Sequence, residues 1–123
     1  MRTMLVADDE RVIAFALHAW FEHHGFAVEI APTPEAAMEA LARTQFDVVI
    51  ADLRLSGTEA MEGLDVIRTA RDQSPRTVIL LLTAYLVPEV VEAAKAAGAD
   101  VAVQKPRPLA EMTKTILALL EGR

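Results

Sequence analysis

Two unbroken apolar runs constrain the fold of this chain more than any other feature. The first covers residues 48–51 and ends at Asp52, and the second covers residues 77–82 and ends at Thr83. Strands that are apolar on both faces are typical of a parallel sheet covered by helices on both sides. The two runs therefore predict an α/β fold in which both strands are buried within the sheet.

Short apolar segments alternate with helical patterns five times along the chain. Each predicted helix follows one of five predicted strands, at residues 3–7, 26–30, 47–52, 77–82 and 101–103. The second strand alternates between apolar and polar residues, which places it at a less covered edge of the sheet. Because strands that alternate with helices form parallel sheets with right-handed crossovers, we predict a single doubly wound (βα)5 domain over residues 1–123, with strand order 2-1-3-4-5.

Composition excludes several classes of protein and site. The net charge is -6, and the 12 Lys and Arg residues are scattered, which argues against a surface for nucleic acid. The chain has no Cys, so disulfides, thiol nucleophiles and Cys-ligated zinc are excluded. No apolar run approaches the roughly 18 residues that a membrane span requires. We therefore expect a cytoplasmic location without membrane insertion.

Polar residues with distinct chemistry follow the predicted strands. The carboxyl ends of parallel strands share one edge of a sheet, so five of these residues should gather there: Asp8, Asp9, Asp52, Thr83 and Lys105. Carboxylates that lie close together repel one another unless they bind a hard cation or take up a proton. Because the ligands are all oxygen atoms, magnesium is favoured, with manganese as an alternative.

The same edge is suited to a phosphoryl group, since Mg²⁺ commonly bridges carboxylate and phosphate. Lys105 supplies a positive charge and Thr83 a hydroxyl donor for phosphoryl oxygens. An aspartate can act as the nucleophile and form an aspartyl phosphate. Asp52 is the best candidate because it stands alone at the end of the central strand. Each residue also has a purely structural interpretation, as a helix first turn, a cap or a loop cation, but their occurrence at successive strand ends favours a site.

The chain resembles the receiver domain of two-component response regulators over essentially its whole length. The matching segments are residues 5–10, 48–53, 81–84, 97–100 and 105–106. The resemblance implies a flavodoxin-like fold in which Asp52 accepts a phosphoryl group from a sensor histidine kinase or a histidine phosphotransfer protein. It implies that Thr83 hydrogen-bonds to this group, that Lys105 pairs with it, and that phosphorylation switches partner binding. No enzymatic activity is implied beyond phosphorylation and dephosphorylation of Asp52 itself.

The resemblance also implies a set of metal ligands. Asp9 and Asp52 would bind Mg²⁺ directly, and Asp8 would act largely through water. The backbone carbonyl of Arg54 would be a further ligand. None of these assignments follows from spacing alone.

The chain departs from the family pattern in three places. Ala102 stands where receivers usually carry an aromatic residue, three positions before the lysine. The loop after the acceptor is about three residues longer than usual, so residues 57–59 would form a rim and the usual glycine arrives at Gly63. Arg54 and Tyr85 occupy the flanking positions that, by resemblance, tune self-dephosphorylation, and two bulky side chains there predict slow hydrolysis.

Two alternatives stay open at this point. A receiver-like docking module that is never phosphorylated is favoured by Ala102 and opposed by the complete acidic set. A magnesium-dependent phosphatase with an aspartyl nucleophile would carry a second Asp two residues after the first as general acid, but that position is Arg54. Homodimerisation also stays open, as does whether the chain is part of a longer regulator.

Overall fold

The computed structural model describes residues 1–55 and 61–123. Within these residues five strands alternate with five helices. The strands are β1 (Arg2–Ala7), β2 (Phe26–Ala31), β3 (Val48–Asp52), β4 (Val78–Thr83) and β5 (Val101–Gln104). The helices are α1 (Arg11–His23), α2 (Pro34–Arg43), α3 (Glu62–Gln73), α4 (Pro88–Ala97) and α5 (Leu109–Glu121). The predicted rim at residues 57–59 lies outside the described residues.

The strands form one sheet in the order β2-β1-β3-β4-β5, and every pairing is parallel. This confirms the predicted order 2-1-3-4-5 and the edge position of the second strand. In the register, Ala7 lies opposite Ala51, and Asp52 lies opposite Leu82. The end of β3 is therefore held between the ends of β1 and β4, which is the arrangement that the site requires.

Two hydrophobic layers cover the sheet, one on each face. Val49 and Ala51 of β3 pack with side chains from α2, α3 and α4. Val48 and Ile50 pack on the opposite face with side chains from α1 and α5. Because both faces of β3 are covered, every residue of that strand is buried, which accounts for the unbroken apolar run in the sequence.

The first turn of α3 lies directly against the end of β3. The amide of Gly63 donates a hydrogen bond to the carbonyl of Leu53 at 2.9 Å. A Cβ atom at Gly63 would lie 2.0 Å from the backbone oxygen of Asp52. Only glycine allows this approach of helix to strand.

Arg71, near the end of α3, ties three segments of the chain together. Its guanidinium donates hydrogen bonds to the carbonyls of Thr77 at 2.8 Å and Gly98 at 3.0 Å, and to the Asp100 carboxylate at 3.1 Å. It also lies within hydrogen-bonding distance of the carbonyls of Ser74 and Pro75. The start of β4 and the turn between α4 and β5 are thus both held by one side chain.

A hydrogen bond also joins the two helices on the other face of the sheet. The indole Nε1 of Trp20 on α1 donates to Thr113 Oγ1 on α5 at 2.8 Å, and that hydroxyl donates to the carbonyl of Leu109 at 2.8 Å. The half-buried indole therefore lies in the seam between α1 and α5.

Among the helices that the structure describes, none combines the length and apolar character needed to cross a membrane.

Candidate functional site

Lys105 lies among three carboxylates at the carboxyl edge of the sheet. Its Nζ donates a hydrogen bond to Glu10 Oε1 at 3.0 Å and lies 3.1 Å from Asp8 Oδ2 and 3.3 Å from Asp52 Oδ2. The side chains of Lys105, Asp8 and Asp52 are 8%, 2% and 10% exposed, whereas that of Glu10 is 56% exposed. The structure thus brings together Asp8, Asp52 and Lys105 as the topology predicts, and adds Glu10 to them.

Backbone hydrogen bonds fix the strand ends that carry these side chains. The amide of Asp8 donates to the carbonyl of Ala31 at 3.1 Å, which extends the pairing of β1 with β2. The Asp8 Oδ1 atom accepts a hydrogen bond from the amide of Glu10 at 2.9 Å, immediately before α1 begins. The amide of Lys105 donates to the carbonyl of Thr83 at 2.8 Å. The site is therefore built on the sheet itself.

Three of the acidic side chains fit a divalent cation. Asp8, Glu10 and Asp52 each offer an oxygen atom, and these atoms all lie within 4.8 Å of one another. Asp8 Oδ2 is buried and accepts no hydrogen bond from the described residues, although Lys105 faces it at ion-pair distance. Carboxylate oxygens in such a group are the ligands that hard divalent cations prefer. The cluster is consistent with a divalent metal site.

Asp9 lies on the same cavity but outside that group of three. Its assignment as a direct metal ligand, like that of the Arg54 carbonyl, therefore stays a prediction. Glu10 was not assigned to the site from the sequence. Its position in the acidic run that follows β1 was the available signal, because Glu10 lies between the end of β1 and the start of α1.

A cavity of about 250 Å³ opens above Asp52. It is lined by Asp9, Glu10, Asp52, Arg54, Thr83, Ala84, Tyr85 and Lys105. A second cavity of about 400 Å³, lined mainly by apolar side chains of α1 and α5, shares Glu10 and Lys105 with the first. The chemically capable side chains line the smaller cavity, which is therefore the candidate functional site.

Burial and neighbouring charges shift the pKa values of the groups in this site. Burial raises the pKa of Asp52 from 3.8 to about 6, with the Lys105 charge opposing the shift and the Asp8 charge adding to it. Burial also raises the pKa of Asp9, and the Asp8 charge adds to the effect. Burial lowers the pKa of Lys105, but the hydrogen bond to Glu10 and the charges of Asp8 and Asp52 outweigh it, so the pKa is raised overall. Asp52 would be partly protonated near pH 6 without metal, and a bound cation would favour its ionised form.

Arg54 and Tyr85 both line this cavity and contact each other. The guanidinium carbon of Arg54 lies 4.8 Å from the centre of the Tyr85 ring, a cation–π distance. Tyr85 is 60% exposed. The Tyr85 amide donates to Thr83 Oγ1 at 3.1 Å, so the buried hydroxyl predicted to bind phosphoryl oxygens is held by its own loop.

Gln104 connects the loop after β4 to β5. Its Nε2 donates to the carbonyl of Ala84 at 2.8 Å, and its Oε1 accepts a hydrogen bond from the amide of Leu86 at 3.0 Å. Ala102, two residues earlier, packs against the core layer formed with α2, α3 and α4. The sequence pattern carried no signal for this role of Gln104, because a polar residue at a strand end has many uses.

The family described as "Response regulator receiver domain" matches residues 4–117 of the chain. The probable transcriptional regulatory protein TcrX of Mycobacterium tuberculosis is 36% identical over 118 residues, which are 96% of this chain and 49% of that protein. The two-component response regulator PhoP of Pseudomonas aeruginosa is 34% identical, over 95% of this chain and 51% of its own length. The chain spans about half of these relatives and a smaller part of others, such as 16% of the sensory/regulatory protein RpfC of Xanthomonas campestris.

Solved structures show the same fold. A response regulator from Burkholderia pseudomallei, described with a phosphorylated aspartic acid, a calcium ion and citrate, matches with a TM-score of 0.83 and 31% identity, over 98% of this chain and 66% of that one. A CheY-like receiver domain protein from Methanospirillum hungatei matches with a TM-score of 0.91 over 99% of this chain and 95% of that one, at 24% identity.

Proposed function

The chain belongs to the response regulator receiver domain family, whose members are phosphoacceptors of two-component systems, and we propose that Asp52 is its phosphoacceptor. On this proposal, residues 1–123 form one such domain. The pairing of the buried Asp52 carboxylate with Lys105 at 3.3 Å, within a cavity at the strand ends, carries this proposal. A buried acid beside a fixed cation at that edge of a parallel sheet suits charge-stabilised group transfer.

We propose Mg²⁺ as the cofactor, with Mn²⁺ able to replace it. Asp9, Asp52 and the Arg54 carbonyl would hold the ion directly, and Asp8 would do so largely through water. When bound, the ion would neutralise charge that develops on the phosphoryl oxygens. The calcium ion described for the Burkholderia pseudomallei regulator, together with the acidic cluster of this chain, supports a divalent cation.

The chemistry at Asp52 is a phosphoryl transfer between two nucleophiles. A carboxylate oxygen of Asp52 attacks phosphorus, and an O–P bond forms as the P–N bond of a phosphohistidine breaks. The electron pair of that bond stays on the imidazole nitrogen of the donor, and no net oxidation occurs. Thr83 donates a hydrogen bond to the transferred group, and Lys105 pairs with its oxygens. Water later attacks the phosphorus, which releases inorganic phosphate and restores the carboxylate.

The partner that donates the phosphoryl group is, on this proposal, a sensor histidine kinase or a histidine phosphotransfer protein. Receiver domains act with histidine kinases, and the family membership of the chain supports the same class of donor here. Phosphorylation would then change the binding of a downstream protein through the loop that follows Thr83 and the helix after that loop.

Replacement of Asp52 by Asn tests the proposal directly. Intact mass after incubation with Mg²⁺ and a small acyl phosphate should show one phosphate adduct on the wild type. The adduct should be absent from Asp52→Asn and from wild-type protein treated with a chelator, because the nucleophile or the cation is missing.

The matched control is Asp47→Asn, which makes the same change immediately before β3, where Asn can still accept the hydrogen bond from the amide of Thr3. This variant should be labelled like the wild type. An unlabelled wild type, under conditions that label another receiver domain, would instead indicate a docking module. Continuous breakdown of the donor without a stable adduct would indicate a phosphatase.

The contact between Arg54 and Tyr85 predicts a slow loss of the phosphoryl group. Together the two side chains restrict the approach of water to the cavity, so the double variant Arg54→Ala, Tyr85→Ala should hydrolyse the aspartyl phosphate about three- to tenfold faster, a barrier change of about 1 kcal/mol. Decay of the mass adduct after removal of the donor measures this rate. Arg68→Ala, an exposed change on α3, is the control, and equal decay in both variants and the wild type would refute the prediction.

A further inference from the structure

We propose that Glu10 competes with the phosphoryl group for Lys105, because its carboxylate accepts the hydrogen bond from Lys105 that a phosphoryl oxygen would take when Asp52 is phosphorylated. Glu10 thus holds the ammonium group beside the acceptor in the unphosphorylated protein and must leave it during the reaction. This inference rests on the proposed function of Asp52.

Three carboxylates surround the ammonium group of Lys105, but among the described residues only Glu10 accepts a hydrogen bond from it. It carries three N–H donors, and three carboxylates lie within 3.3 Å of its nitrogen. The contact with Glu10 Oε1 is the shortest of the three and has hydrogen-bond geometry. A phosphoryl oxygen that takes this hydrogen bond therefore has to replace the Glu10 carboxylate.

Among these carboxylates, Glu10 is the one that is free to move. Asp8 is almost fully buried, and its other oxygen is held by the amide of Glu10. Asp52 is buried and is itself the group that reacts. The side chain of Glu10 is 56% exposed and lines both cavities beside Lys105, so its carboxylate has space to turn away while its backbone stays in place.

Charge favours the same exchange. A phosphoryl group adds negative charge to a region that already holds several carboxylates, and like charges at this distance raise its free energy. Departure of the Glu10 carboxylate toward solvent removes one of these charges and leaves Lys105 for the phosphoryl oxygens. The phosphoryl group thus takes the place of the Glu10 carboxylate as an anionic partner of Lys105.

Two variants separate loss of the contact from loss of the charge. Glu10→Gln removes the charge and weakens the bond to Lys105, whereas Glu10→Asp keeps the charge but is one methylene shorter and cannot make the same contact. At saturating Mg²⁺, both should form the adduct about three- to tenfold faster than the wild type with the small acyl phosphate, since a hydrogen bond of about 1 kcal/mol no longer has to be broken. Glu89→Gln, an exposed change on α4, should react like the wild type.

Coupling to Lys105 gives a readout that a merely structural role would not move. In a Lys105→Gln background, which reacts slowly, the added Glu10→Gln change should not alter the rate, because the partner of Glu10 is gone. Calorimetric Mg²⁺ affinity should differ by less than about threefold between Glu10→Gln and the wild type, well below the loss expected from removing a direct ligand.

Several results would overturn the inference. If Glu10→Gln were faster while Glu10→Asp matched the wild type, general charge repulsion would account for the effect. Unchanged or slower labelling in both variants would also contradict it, and a large loss of Mg²⁺ affinity would make Glu10 a metal ligand. If the wild type itself took no adduct, the proposed function would fail, whereas a labelled wild type with unaltered Glu10 variants would defeat this inference alone.

Discussion

Gly63→Ala is expected to destabilise the protein by about 3 kcal/mol and to abolish most labelling of Asp52. The new Cβ atom would lie 2.0 Å from the backbone oxygen of Asp52 and 2.9 Å from the Cα atom of Leu53. Both are backbone atoms, so no side-chain rotation can relieve the overlap. The first turn of α3 would have to move away from the end of β3, and the acceptor would move with it.

Urea unfolding followed by circular dichroism measures this loss, and the mass adduct measures the effect on the site. Gly122→Ala is the matched control, because its Cβ atom would meet Leu119 O at 3.6 Å, an ordinary contact, and its φ is -81°. The control should unfold within about 0.5 kcal/mol of the wild type. Equal stability of the two variants would contradict this prediction, because it would mean that the space between α3 and the end of β3 accepts a Cβ atom at position 63.

Arg71→Met is expected to destabilise the protein by a similar amount, about 3 kcal/mol. Methionine keeps much of the apolar stem but leaves the carbonyls of Thr77 and Gly98 without their guanidinium donor. The Asp100 carboxylate loses Arg71 and keeps its ion pair with Arg123 and the hydrogen bond from the Ile79 amide. The side chains of Arg71 and Asp100 are 22% and 16% exposed, so water replaces these bonds only in part. Removal of one partner from a mostly buried ion pair is more damaging than the loss of an exposed pair.

Arg68→Met provides the comparison on the same helix. Arg68 makes one ion pair with Asp65 at 2.8 Å, and both side chains are more than half exposed. This change should lower the free energy of unfolding by no more than about 0.5 kcal/mol. If denaturant titrations gave the same value for both arginines, the hydrogen bonds of Arg71 would not be a principal tie between α3 and the sheet.

Much of the fold could be predicted because the controlling features are local and periodic. The apolar run before Asp52 indicated a strand covered on both faces, and the alternating run at residues 26–30 indicated an edge strand. Parallel topology alone then placed Asp8, Asp52 and Lys105 at one edge. No side-chain geometry was needed for either step.

The contacts of Glu10 and Gln104 could not be predicted in this way. A glutamate before a helix and a glutamine at a strand end most often face solvent, and only the packing of neighbouring segments decides otherwise. Glu10 reaches Lys105, which lies 95 positions away in sequence, and Gln104 bonds to a loop 18 to 20 positions away. Sequence patterns predict which face of a helix or strand is buried, whereas these contacts depend on the direction in which a single side chain points.

The hydrogen bond between Trp20 and Thr113 gives the chain an optical probe of its own. Trp20 is the single tryptophan in the sequence, and its indole lies in the seam between α1 and α5. Its emission maximum should therefore shift to longer wavelength when water enters this seam, since exposure stabilises the excited indole. Titrations with cation or acyl phosphate can then separate two events in one unlabelled sample. Intact mass reports phosphorylation at the strand ends. The emission maximum of Trp20 reports whether phosphorylation changes the packing of α1 against α5.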